Sequence, residues 1–305
     1  MRKSFLFDID GVLVDVRSSY IDAIRKTVDL YLEKVFGVRR GANLLLSRED
    51  VHQFKLLGGF NNDWDSVYGL LLYFSTFLDC PGGKKISAAD LRYFKNTPAL
   101  RKRVPVPCGM KNLEALLGKN PKIDYALAKS LFQEIYLGER LFRRLYRKTP
   151  EWVRAKGLIE KEKPLVPKRT LLSLKKGGTR FGIVTGRTRF EAEYVLKHFG
   201  IHSLFDAFVT HDEVEKAEKK SGLTLRKPHP YSVLRCAKAL GAASFLYVGD
   251  LPDDIKAANA AKKRIRILSC GVLYGQDNPA LMRRALRQAK ADYLIRRPSE
   301  LLKLA

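Results

Sequence analysis

The sequence predicts an α/β protein in which a parallel sheet, covered by helices on both faces, is interrupted after its first strand by an inserted all-helical domain. Six short apolar runs of β-type composition carry the first part of this expectation: Ser4–Phe7, Arg180–Val184, Ala207–Thr210, Phe245–Val248, Arg264–Leu268 and Asp292–Ile295. From the second run onward, each is separated from the next by enough chain for a helix, and that alternation implies a parallel sheet with both faces buried. Between the first and second runs the texture changes and reads as mostly helical, which places the insertion.

Taken in order, the first strand ends at once in two carboxylates, Asp8 and Asp10. The insertion follows. Ser18–Val35 carries Ile21, Ile24, Val28, Leu32 and Val35 at the three-and-four spacing of one helix face, and Trp64–Leu78 and Tyr125–Tyr146 are similar. Breaks fall at Gly58-Gly59, Pro81-Gly82-Gly83 and Val104-Pro105-Val106-Pro107. The sheet resumes near Pro167, so the expected domains are 1–16 with 167–305, and 17–166. In the second half, residues 189–199 and Tyr231–Leu240 read as amphipathic helices between strands.

Composition narrows the class. The chain has 305 residues and no low-complexity tract. Its apolar start is broken by Asp8 and Asp10, unlike a secretory leader. The longest apolar stretch, Tyr68 to Leu78, is interrupted by Ser75 and Thr76 and is too short to span a membrane. Cys80, Cys108, Cys236 and Cys270 form no CxxC pair, as expected of small buried side chains in a reducing cytoplasm. A Cys80–Cys108 bridge across the Gly/Pro-rich segment stays open as an alternative. The unusual feature is charge: 57 basic against 32 acidic residues, net +25. The basic residues are spread in short clusters such as Arg101-Lys102-Arg103 and Arg283-Arg284. This suits a solvated surface that attracts anionic substrates, with nucleic acid bound only non-specifically. Monomer and homodimer are both left open.

Four segments carry chemistry. Asp8-Ile9-Asp10-Gly11 sits at the carboxyl end of a strand, where open parallel sheets bind ligands, and Gly11 lets the chain turn. Asp8 suits a nucleophile and metal ligand; Asp10, one step into the loop, suits proton exchange. Phe181-Gly182-Ile183-Val184 ends in Thr185-Gly186-Arg187, where a hydroxyl and consecutive N–H groups make a phosphate cradle. Arg187 either adds a charged contact or faces solvent. Lys227-Pro228 offers an ammonium beside a transferring phosphoryl group, and His229 reads as a loop-structural residue. Phe245-Leu246-Tyr247-Val248-Gly249-Asp250 brings a further carboxylate to a strand end, and Asp254 follows four residues on. Oxygen ligands of this kind suit Mg2+. Asp253 reads as solvated.

In this order the four segments resemble the motifs of the haloacid dehalogenase-like hydrolase superfamily: DxDGxxxD, an apolar run ending in Thr or Ser, Lys-Pro, and GDxxxD. The resemblance covers the sheet domain and implies a Rossmann-like core with a helical cap of the first cap class, as in phosphoglycolate phosphatase and β-phosphoglucomutase. By it Asp8 is the nucleophile, Asp10 the general acid/base, Thr185 the phosphate contact and Lys227 the charge stabiliser. Mg2+ is held by Asp8, Asp250 and the backbone carbonyl of Asp10, while Asp254 holds a metal-bound water or orients Lys227. Gly11, Thr185, Gly186, Arg187 and Lys227 form the phosphate site. The implied activity is hydrolysis of a small phosphorylated metabolite through an aspartyl-phosphate, with a phosphoryl-transferring mutase as the alternative and a polyanion-binding protein as a more distant one. In the cap, Lys55, Gly59, Asn61, Asn62, Asp63 and Trp64 are the expected substrate-recognition residues, against the simpler role of a helix–helix turn capped by Asn62 or Asp63 with Trp64 entering the core. The stretch GGFNNDWD resembles a little-characterised archaeal and cyanobacterial subgroup of the superfamily.

Overall fold

The computed structural model describes residues 3–39, 41–60, 62–78, 87–94 and 108–305. The chain divides into two compact units, Met1–Val16 with Glu162–Ala305, and Arg17–Lys161.

The first unit holds strands β1 (Ser4–Phe7), β2 (Val14–Asp15), β3 (Lys163–Pro164), β4 (Phe181–Val184), β5 (Ala207–Val209), β6 (Phe245–Gly249), β7 (Ile267–Val272) and β8 (Tyr293–Ile295). Six of them form one parallel sheet in the order β5-β4-β1-β6-β7-β8. Both faces are buried, which explains why the strands read as continuous apolar runs and not as alternating ones. Phe5 and Phe7 lie on one face with Phe181, Ile183, Leu246 and Val248, while Leu6, Val184 and Tyr247 lie on the other with Val233, Cys236 and Leu240. Phe181 meets the Phe7 ring edge-on at 5.4 Å between centroids.

Register positions the chemistry. Phe7 pairs with Ile183 of β4 and with Val248 of β6. The residues just beyond these strands, Asp8, Thr185 and Asp250, therefore emerge side by side at the carboxyl edge of the sheet.

Two boundaries differ from the sequence expectation. The fifth run starts at Ile267, not Arg264, and continues to Val272. Arg264 and Ile265 are tied back to the preceding helix, both donating backbone N–H groups to the Ala261 carbonyl at 2.9 and 3.1 Å. The strand then runs through Ser269-Cys270-Gly271, small residues with little β-type signature. The sheet unit also regains the chain at Glu162 and not near Pro167. There Lys163–Pro164 pairs antiparallel with Val14–Asp15, and two-residue strands carry no periodicity to read.

The second unit contains helices Tyr20–Phe36, Arg48–Lys55, Asp63–Ser75, Ala88–Phe94, Gly109–Leu117 and Tyr125–Tyr146. Asp63–Ser75 is buried on every side from Trp64 onward, a core helix and not a surface one. Tyr125–Tyr146 is broken at Gly138, whose φ of 70° and ψ of 169° are non-helical. A Cβ at Gly138 would lie 2.1 Å from the Gly157 nitrogen, so only glycine permits this approach. Beside the break, the buried Glu134 carboxylate accepts the backbone N–H groups of Glu151, Trp152 and Val153 at 3.0, 2.8 and 3.1 Å. The helical unit is thus stitched internally by a helix break and a carboxylate that satisfies three backbone donors.

Cys108, Cys236 and Cys270 are buried free thiols, and Cys80, with its suggested pairing to Cys108, lies outside the described residues. Among the described residues no helix is long and apolar enough to cross a membrane.

Candidate active site

Asp8 follows β1 and is 7% exposed. Its Oδ1 accepts the N–H of Ile9 at 2.8 Å, and its Oδ2 lies 3.1 Å from Lys227 Nζ. That ammonium also donates to Asp254 Oδ1 at 2.7 Å, the Tyr247 hydroxyl at 3.0 Å and the Val184 carbonyl at 3.3 Å. Asp254 is saturated by protein groups. Oδ1 takes Lys227 and the Tyr247 O–H, the latter at 2.9 Å, while Oδ2 accepts the N–H groups of Asp250 and Leu251 at 3.2 and 3.0 Å. Of the two roles expected for Asp254, orienting Lys227 is the one these bonds serve. Asp250 is buried and accepts a hydrogen bond from Gln276 Nε2 at 2.9 Å.

One oxygen each from Asp8, Asp250 and Asp254 lie within 4.8 Å of one another. Three carboxylates face one ammonium, so the cluster carries excess negative charge away from water. Burial, with Asp254 and Asp10 adding to it and Lys227 opposing it, lifts the Asp8 carboxyl to about 7. Burial, then Asp254 and Asp8, push Asp250 well above the usual carboxylate range. Burial acting alone would lower Lys227, but Asp254 and Asp8 outweigh it and keep the ammonium protonated well above its ordinary value. A hard divalent cation would relieve this imbalance, and the donor set fits one. With Asp254 committed to protein donors, Asp8 and Asp250 are the side chains that remain to hold it. Gly11 is required beside them: its φ is +68°, and a Cβ there would fall 2.1 Å from Asp250 Oδ2.

Thr185 donates its N–H to the Val209 carbonyl at 3.1 Å, and its hydroxyl oxygen accepts the Arg187 N–H at 3.2 Å. Gly186 lies in the turn between them. Arg187 corrects the sequence expectation of a phosphate contact. Its side chain is fully buried and gripped by two carboxylates. Nη1 and Nη2 reach the Glu162 oxygens at 3.0 Å each, and Nε reaches Asp10 Oδ1 at 2.7 Å. The planar guanidinium fork is thereby taken by Glu162, and its Nε edge holds Asp10. Two further sequence expectations are revised or refined. Asp253 is buried, 3.5 Å from Lys256, and not solvated. His229 Nδ1 accepts the Tyr231 N–H at 3.2 Å, at the start of the helix Tyr231–Leu240.

Glu162, Tyr247 and Gln276 were not singled out from sequence. Each joins the site through a partner 20 or more positions away, and no local pattern marks such a contact.

In the helical unit, the loop expected to recognise substrate is built as a helix start. Asn62 Oδ1 accepts the Asp65 N–H at 2.9 Å as an N-cap, Trp64 is buried under Lys129, whose Nζ lies 3.6 Å from the ring centroid, and Lys55 Nζ pairs with Asp63 Oδ1 at 2.6 Å. Gly59 packs so closely that a Cβ would lie 2.8 Å from Gly109. Asn61 lies outside the described residues. One polar group of this loop is left over: the buried Asn62 Nδ2 has no hydrogen-bond partner.

A parallel sheet with this strand order, carrying its carboxylates and lysine at one edge, is the fold of the Rossmann-like hydrolases. The family model for haloacid dehalogenase-like hydrolases matches residues 3–262, and the chain belongs to that family. An imidazoleglycerol-phosphate dehydratase of Phytophthora nicotianae is 26% identical over 96% of this chain and 50% of that protein. A phosphoglycolate phosphatase of Xylella fastidiosa is 30% identical over 41% of this chain and 49% of that protein. The chain thus spans about half the length of these curated relatives. Among solved structures, phosphatase Tt82 from Thermococcus thioreducens shares the fold, with a TM-score of 0.60 and 23% identity over 93% of this chain and 98% of that one.

Proposed function

We propose that the chain is a Mg2+-dependent phosphomonoester hydrolase that forms an aspartyl-phosphate at Asp8 and acts on a small organic phosphate. The observation that carries this is the buried Asp8–Lys227–Asp254 chain with Asp250 beside it, a nucleophile and a fixed cation within 3.1 Å of each other. Membership of the hydrolase family supports it, as does likeness to proteins named phosphoglycolate phosphatase.

Mg2+, held by Asp8, Asp250 and the backbone carbonyl of Asp10, would supply charge neutralisation for an approaching phosphate dianion. Lys227, locked by Asp254 and Tyr247, adds a second positive charge at the transferring group. The Thr185 hydroxyl and the backbone N–H groups of Asp10 and Gly186 hold the phosphate oxygens, while the Gly11 N–H is spent on the Val14 carbonyl. Asp8 Oδ attacks phosphorus in line, and the P–O bond to the leaving group breaks as Asp10 delivers a proton to the departing alkoxide. Asp10, now ionised, takes a proton from water as that water attacks phosphorus, which frees phosphate and restores Asp8.

Phosphate release from a metabolite panel, with and without MgCl2, tests this function. Magnesium-dependent release is expected; an isomerised sugar phosphate with no free phosphate would show a mutase instead. Magnesium binding to the folded state alone should also raise the melting temperature, by about 2.7 kcal/mol of stabilisation at a hundredfold excess over Kd. Asp250→Asn should lose most of that rise. An equal rise in the variant would move the metal away from Asp250.

We assign substrate choice to the 54–65 loop, on its polar residues Lys55, Asn62 and Asp63. Asn62→Asp keeps an N-cap acceptor but removes the donor. It should raise KM on the physiological phosphate and leave KM on p-nitrophenyl phosphate unchanged. Equal effects on both would leave the loop with a structural role only.

A further inference from the structure

Four arginines line one concavity of the sheet unit. A pocket of about 660 Å³ is walled by Arg283, Arg284, Arg287 and Arg296, with Leu273 and Pro279 among its apolar lining. Three of the arginines stand on the helix Pro279–Gln288, and the fourth follows β8. Leu273 follows β7, so the pocket opens at the carboxyl edge of the sheet, the edge at which Asp8 and Asp250 emerge.

The charge here is uncompensated. Three other helices of this basic protein pair cations at i,i+4, Arg143 with Glu139, Lys197 with Glu193 and Lys219 with Glu215, whereas Lys168–Lys175 and Tyr231–Leu240, like the pocket helix, carry no acidic residue. The helix Pro279–Gln288 reads PALMRRALRQ and has no acidic residue at all. Among the described residues none of the four guanidiniums has a carboxylate partner, and the nearby Glu300 accepts the Arg296 backbone N–H and lies 3.6 Å from Arg297. Like charges at i,i+4, as at Arg283 and Arg287, oppose helix stability unless something neutralises them.

Guanidinium forks match phosphate oxygens, and the pocket volume is that of a small-molecule site. Among the described residues no aromatic ring lines it, so they offer no stacking platform of the kind that single-stranded nucleic acid uses. We propose that this pocket is a second anion site, which binds a compact ligand bearing two or more linked phosphate groups. The loop that joins Leu273 to Pro279 carries Gln276, the donor to Asp250, so occupancy of the pocket bears on the geometry of a reaction-centre carboxylate. The site stands apart from the proposed hydrolysis and is testable without turnover.

Titration calorimetry of the full chain with inorganic tripolyphosphate in EDTA is the test. One equivalent should bind, and Arg284→Ala/Arg287→Ala should weaken it by about tenfold or more with p-nitrophenyl phosphate turnover unchanged. Lys238→Ala/Lys263→Ala, in another basic groove of this unit, should leave binding unaltered. Arg284→Lys/Arg287→Lys keeps the charge and loses the forks, so it too should bind more weakly; affinity equal to wild type would overturn the proposal. Equal losses in both alanine pairs would overturn it as diffuse attraction, and so would a single-stranded oligonucleotide of equal charge that binds more tightly than tripolyphosphate.

Discussion

Asp8→Asn is expected to lower kcat on p-nitrophenyl phosphate with MgCl2 on the order of 10⁴-fold or more, without loss of fold. The amide is nearly isosteric but has no lone pair able to form an acyl phosphate. Stability should hold or rise. Asp8 is buried against Asp250 and Asp254, and the neutral amide removes like-charge repulsion that its 3.1 Å contact with Lys227 only partly offsets. Lys227 keeps Asp254 at 2.7 Å, so the ammonium is not stranded. Circular dichroism and a melting curve report the fold, and stopped-time phosphate release reports turnover. Residual activity within about tenfold of wild type would remove Asp8 from the covalent role.

Under the proposed function, the second large effect is expected at Arg187, whose Nε holds Asp10 at 2.7 Å. Arg187→Met removes the guanidinium that faces the buried Glu162 carboxylate at 3.0 Å, and breaking a buried pair in this way costs about 3–5 kcal/mol. Some of any activity loss would therefore be loss of folded protein. The double variant Glu162→Met/Arg187→Met separates the two, because replacement of a whole buried pair by apolar groups is often neutral or stabilising. It should melt close to wild type yet leave Asp10 without its 2.7 Å partner. Proton delivery matters most for a poor leaving group, so turnover of an alkyl phosphate should fall by about 10²-fold or more while an activated aryl phosphate loses much less. Equal losses on the two substrates would make the Glu162–Arg187 pair purely structural.

Much of this site was legible because its parts lie where the chain leaves a buried strand. β1, β4 and β6 are covered on both faces, so each reads as an unbroken apolar run, and Asp8, Thr185 and Asp250 stand out at their ends. The same logic failed at β7, where Ser269-Cys270-Gly271 carries no such signal. Arg187 shows the deeper limit. An arginine after Thr-Gly in a phosphate-binding turn looks like an anion contact, and only Glu162, 25 positions earlier and beyond a strand boundary too short to read, reveals that its fork is already occupied. Gln276 and Tyr247 were hidden for the same reason, since their partners meet them only after the sheet has formed. In the cap loop the local rule prevailed, with Asn62 capping the helix that Trp64 enters.

Covalent catalysis at Asp8 is tested most directly by the stereochemical course at phosphorus. An aryl phosphorothioate made chiral with oxygen isotopes would be hydrolysed by the wild-type protein in isotopically labelled water. Two successive in-line displacements, first by Asp8 and then by water, give net retention, the expected result. Net inversion would mean that water attacks the substrate directly, and Asp8 could not then be the nucleophile.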